Sequence, residues 1–66
     1  MINYLEIRKD GVLAEGSADA EPLESQVAEA IKNRGYLANS ININYDSLQN
    51  LWRFTAVLKE QTNDRD

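Results

Sequence analysis

The 66-residue sequence predicts a single α+β domain: a three- or four-stranded antiparallel sheet in β(β)αββ order with one helix packed on one face. Two observations predict it. Alternating apolar and β-forming stretches stand near both ends of the chain, and between them runs a helical stripe with its own start and stop signals. A chain this short has no room for a second core, so residues 1–60 read as one domain and 61–66, which have nothing to bury, as a frayed tail. Hydrophobic residues make up 42% and charged residues 27%, proportions that favour folding over disorder. Stability should be small, because a domain of this size buries only about 60% of the surface its unfolded chain exposes.

The opening residues through Ile7 are rich in β-formers and predict a first strand near 2–8. Asp10-Gly11 then supplies a pair that tolerates the positive φ of a tight hairpin. Residues 12–15 can return as a second strand, but Gly16 follows so soon that this strand must be short, and four strands or three remain open. In strand one, Leu5 and Ile7 point one way while Ile2 and Tyr4 point the other.

The helix is expected over 21–34. Leu23, Val27, Ala30 and Ile31 fall on one stripe at 100° per residue, and the stem of Arg34 can join it. Pro22 suits a first turn, and Asp19, Glu21 and Glu24 suit the positive end of the helix dipole. Gly35 can take the left-handed stop conformation, which returns Tyr36 onto Ile31.

Beyond the helix, Ile41-Asn42-Ile43-Asn44-Tyr45 alternates as a half-buried strand, residues 46–50 form a turn, and 51–60 a final strand. Trp52, Phe54, Ala56 and Leu58 share one face of that strand, so Trp52, Phe54, Leu58, Val27 and Ile31 are the expected core. The opposite face carries Asn42, Asn44, Arg53 and Thr55, interrupted by Leu51 and Val57. That face, open to solvent under a single helix, is a possible surface for a homodimer or a partner.

With neither cysteine nor histidine, the chain lacks disulfides, thiolate chemistry and imidazole bases, and the serines sit where turns and caps want a small polar residue. The three glycines form no phosphate-binding loop, and the acidic residues lack the ligand ladder of a calcium loop. No catalytic residue, metal site or cofactor is therefore expected, and the chain is not expected to be an enzyme. The start of the chain lacks the pattern of a targeting segment and no run reaches transmembrane length, which points to the cytoplasm.

Charge is the one feature above background. Seven basic residues stand against eleven acidic ones, for a net charge of −4, and from Asp10 to Glu29 there are six carboxylates and no cation. A surface of that sign repels nucleic acid and anionic lipid, so neither is an expected direct partner and a basic protein is the complement. Glu15, Asp19, Glu21, Glu24 and Glu29 are the candidate partner-binding residues, on a helix face and its approach loop. Helical rise would space Glu21, Glu24 and Glu29 by about 4.5 and 7.5 Å, the scale of phosphates along a strand.

Size, acidity, the lack of catalytic groups and a helix-on-sheet plan together resemble the small phage-encoded inhibitors of bacterial defence, the anti-CRISPR proteins, several of which mimic nucleic acid. The likeness is one of class, spans the chain and is carried by no motif. It implies a non-catalytic, cytoplasmic inhibitor whose acidic face occupies a nucleic-acid-binding groove of a host defence complex. The net charge of −4 is mild for a mimic, and Lys32, Arg34 and Arg53 dilute it. The order of elements is also similar to that of dodecins, small proteins that assemble as closed shells and stack flavin on a strand aromatic. Here the strand after the helix offers Tyr45 and no tryptophan, and this second likeness implies a homo-oligomeric structural or ligand-binding module assembling through the open sheet face.

Overall fold

A computed structural model describes residues 2–59 of the chain. Four strands and one helix follow in the order β1 (Ile2–Ile7), β2 (Leu13–Ala18), α1 (Glu24–Lys32), β3 (Ala38–Asp46) and β4 (Leu51–Leu58). The strands form one antiparallel sheet in the order β1-β2-β4-β3, so two local hairpins are joined along a β2–β4 seam. The α+β class and the β(β)αββ order are those the sequence predicts, with the optional strand present. The tail predicted for 61–66 and the last residue of the predicted final strand, Glu60, lie outside the described residues.

Strand β2 is longer than its glycine suggested. It continues through Gly16 to Ala18, and Gly16 is buried opposite Phe54. A Cβ added there would lie 2.1 Å from the Tyr4 carbonyl oxygen and 2.4 Å from the Phe54 ring. The missing side chain is therefore the space the ring and the neighbouring backbone fill, and the glycine sustains the strand where a turn was expected. Turn chemistry does appear one step earlier: Gly11 takes φ +73°, its N–H donates to Arg8 O at 2.9 Å, and Asp10 Oδ1 accepts the Val12 N–H at 2.9 Å.

The first strand's two-way pattern is resolved by an irregularity. Leu5 and Ile7 pair with Gly16 and Ala14, and a register shift between Ile2 and Tyr4 sets Ile2 opposite Ala18. Ile2, Leu5 and Ile7 all pack against the core, leaving Tyr4 on the open face beside Glu6.

Helix α1 starts three residues later than the charge and proline pattern predicts. Pro22 lies outside it and is buried, and the N-cap is Leu23 in an extended conformation. Leucine has no oxygen to cap with; instead Gln26 Oε1 accepts the Leu23 N–H at 2.8 Å. Leu23 is 64% exposed, so it does not belong to the buried stripe, which rests on Val27 and Ile31. The helix ends at Lys32, two residues short of the expected 34, and Arg34 is exposed beyond it, but the glycine stop is as expected: Gly35 has φ +91°, its N–H donates to Lys32 O, and the Tyr36 N–H donates back to Ile31 O at 3.3 Å, bringing Tyr36 against the core.

The core joins Val27 and Ile31 to Ala14, Phe54, Ala56 and Leu58, with Ile41 and Ile43 packed at its flank. Trp52 is not in it. It shares the helix-facing side of β4, as its spacing predicts, but is half-buried. The reason is length. A nine-residue helix spans about 13.5 Å while the nine residues of β3 run about 30 Å, so α1 cannot cover the whole face.

Candidate functional site

The loop into α1 leaves the sheet at Ala18, whose cross-strand partner is Trp52. The helix N-terminus therefore sits toward the Trp52 end, and its C-terminus toward the end where Leu37 and Lys59 meet. Along this path stand four of the five candidate carboxylates. Asp19 is exposed and its Oδ1 accepts a hydrogen bond from Asn3 Nδ2 at 2.6 Å. Glu21 is exposed in the loop, Glu24 opens the helix, where a carboxylate complements the dipole, and Glu29 is exposed further along. Among the described residues none of these four is in an ion pair. Because Glu21 precedes the helix, the regular rise expected between it and Glu24 does not apply. Glu24 to Glu29 keeps its spacing of about 7.5 Å along the axis.

Glu15 is placed elsewhere. It is the β2 partner of Glu6 and Thr55, on the sheet face turned away from the helix, where its Oε2 accepts a hydrogen bond from Arg8 Nη1 at 3.0 Å. The five predicted residues thus divide into a group of four on the helix side and one on the open face. Strand alternation is the signal that separates Glu15, since it lies one residue from the buried Ala14 and Gly16.

Charges on the open face are mostly matched. Asp46 Oδ2 accepts from Arg53 Nε at 2.8 Å, and its Oδ1 accepts the N–H groups of Leu48 and Gln49 at 3.0 and 3.2 Å. The Arg53 hydrogen bond, followed by these backbone donors, holds the Asp46 carboxyl below the usual range. Tyr4 donates its hydroxyl to Glu6; that bond, with partial desolvation and the Glu6 and Glu15 charges, raises the phenol. Between Tyr4, Glu15, Arg53 and Thr55 the face forms a shallow, open depression floored by Gly16.

A second exposed group lies at the β3–β4 turn, which composition did not single out. The Tyr45 and Trp52 rings meet at 5.1 Å between centroids and 60° between planes, and the Tyr45 hydroxyl donates to Asn50 Oδ1. Tyr45 is 48% and Leu48 96% exposed. Periodicity assigns both aromatics to the helix side, where Trp52 is half-buried and Tyr45 exposed.

Among the described residues there is no cluster of three or more potential metal ligands, and no helix is long and apolar enough to cross a membrane. The arrangement presents an acidic stretch on one side, a matched polar face on the other and an aromatic tip between. No family model, curated protein or solved structure matches the chain.

Proposed function

We propose that the protein is a non-catalytic inhibitor that binds another protein, an anti-CRISPR-like chain whose acidic helix end occupies a nucleic-acid-binding groove of a phage host's defence complex in the cytoplasm. The observation that carries this reading is the contrast in charge matching. Asp19, Glu21, Glu24 and Glu29 are exposed and outside any ion pair among the described residues, whereas Arg8 and Arg53 on the other face are held by Glu15 and Asp46. Unmatched carboxylates along a loop and helix project a field that a phosphate-binding groove accepts and that nucleic acid and anionic lipid repel. Glu15, on the opposite face and paired with Arg8, adds to the field at a distance without sharing the contact surface.

Partner capture from host cells tests this, followed by the double reversal Glu21→Lys and Glu24→Lys. Association should be fast and should weaken steeply with salt, since steering is screened over about 8 Å at physiological ionic strength. The reversal should weaken capture at least tenfold and leave the fold intact, as both side chains are exposed. An affinity unchanged within about twofold, below 0.5 kcal/mol, would overturn the acidic contact.

The alternative is a homo-oligomeric module assembling through the open sheet face. It draws on Leu13 and Val57, which are cross-strand partners and remain 40% and 39% exposed there. Light scattering of a Val57→Lys variant tests it, because a charge in the middle of such a contact should dissociate the assembly.

A further inference from the structure

The two outer edges of the sheet are closed differently, and the backbone bonds show how. Leu58 N–H donates to Val12 O at 2.7 Å, and Arg8 N–H donates to Leu13 O at 2.8 Å. In an antiparallel ladder successive residues direct their N–H and C=O groups to opposite sides. With the register known, the first bond turns Val57, Thr55 and Arg53 toward β3, where Ser40, Asn42 and Asn44 meet them. Ile41, Ile43 and Tyr45 must then direct their backbone groups outward, and among the described residues β3 has no further strand beside it. By the same logic Leu5 and Ile7 face outward from β1.

Edge β1 is guarded. Arg34 Nη2 donates to the outward Leu5 carbonyl at 3.1 Å, Glu6 charges the strand, and the shift between Ile2 and Tyr4 breaks its line. Among the described residues edge β3 has no such guard from Ser40 to Tyr45: its own irregularity lies earlier, between Ala38 and Ser40, and its first charge is Asp46 at the far end. Natural edges are normally blunted by charge, proline, bulge or cover, so a long neutral one is a template for another strand.

We infer that β3 pairs with β3 of a second copy of this chain, antiparallel and centred on Ile43, so that two four-stranded sheets become one. This arrangement is independent of the acidic contact proposed above. A two-fold axis at Ile43 lets Ile41, Ile43 and Tyr45 exchange backbone bonds with Tyr45, Ile43 and Ile41 of the second copy. On the helix side it sets Ile41 against Tyr45 and Ile43 against Ile43, extending the core past side chains that are now half-buried or exposed. On the open side it sets Asn42 against Asn44. A second copy fits better than a charged partner strand, because β3 is uncharged from Ala38 to Tyr45 and two chains of net charge −4 meet there with no like charges opposed. A chain this small also gains most from such an extension.

Sedimentation of the full chain from micromolar to about millimolar concentration, with amide exchange followed by NMR, tests the pairing. The mass should rise from 7.5 kDa toward twice that value. Exchange of the Ile41, Ile43 and Tyr45 amides should slow at least tenfold with concentration, while those of Leu5 and Ile7 stay unchanged. A chemically synthesised chain N-methylated at Ile43 loses one outward donor and no side chain. It should dimerise at least tenfold more weakly with the same melting curve when dilute. The exposed pair Asn42→Glu and Asn44→Glu should do the same by opposing glutamates across the axis, since residue 44 faces Arg53 and residue 42 faces Thr55 within the chain. A mass that stays at 7.5 kDa throughout would overturn the inference. So would a dimer indifferent to both changes, or one dissociated only by Val57→Lys.

Discussion

On the helix-facing side, hairpin β1–β2 contributes Ala14, Gly16 and Ala18 from its inner strand, whereas hairpin β3–β4 contributes Trp52, Phe54, Ile41 and Ile43. The register sets small against large: Gly16 faces Phe54 and Ala18 faces Trp52. The difference teaches how a domain with one helix and one sheet obtains a close-packed interior. Of the two inner strands, β4 supplies the large rings and β2 the room for them.

The largest effect is therefore expected where room is removed. Gly16→Ala places a methyl group against the Tyr4 carbonyl and the Phe54 ring, and backbone cannot swing aside as a flexible side chain does. The cost should reach at least the upper end of the about 1 to 3 kcal/mol of overpacking, a large part of the stability of so small a domain. Circular dichroism should show a chain mostly unfolded at 37 °C. Melting within a few degrees of the parent would mean that the two hairpins are not matched in this way.

Removing volume sharpens the comparison along the other hairpin. Phe54→Ala should cost about 3 to 5 kcal/mol, as a fully enclosed ring does, while Trp52→Ala should cost less, about 1 to 2 kcal/mol, because its indole is only partly buried. Melting temperatures of the two variants test the order, since 1 kcal/mol moves a domain of this size by roughly 4 to 8 °C. Equal losses would place Trp52 in the core after all.

The smallest effect belongs to the turn of the larger hairpin. Asp46 is held below the usual carboxylate range by Arg53 and two backbone donors, so its contribution is complete above the unfolded pKa of about 3.9 and disappears as pH falls through the lower folded value. Asp46→Asn should flatten the acid limb of stability and change little near neutrality, as expected for an exposed pair. An unchanged acid limb, followed by Trp52 fluorescence, would show that the turn is not held by this carboxylate.

Much of this plan is legible in the sequence. The stripe of Val27 and Ile31, the Gly35 stop and the alternation around Ile43 and Phe54 specify elements whose periods are local. What is not legible depends on objects far away in sequence. Gly16 reads as a strand end because its partner, Phe54, is a distant residue that no local window contains. Trp52 reads as core because period tells which face a residue occupies but not how far along it the helix extends. Among the candidate carboxylates, alternation separates Glu15 from the rest only once β2 is known to run through the glycine. The N-terminal start of α1 is illegible for a related reason: Pro22 and the acidic residues suit a first turn, yet Gln26 closes the Leu23 N–H and the helix begins at Glu24.

The β2–β4 seam also governs how the chain finds its fold. Each hairpin can close locally, on a timescale of about 1 to 10 μs, but the seam brings Ala14 to Ala56 and must enclose the helix and all of β3 as one loop. Local hairpins gain little on their own, so the docking of one hairpin on the other, with Phe54 over Gly16, is the expected rate-limiting encounter. Closure entropy grows slowly with loop length, about 0.6 kcal/mol per doubling, so residues added between α1 and β3 should slow this docking only mildly. A methyl group at Gly16 should instead obstruct the encounter itself, so Gly16→Ala is expected to slow folding as well as lower stability.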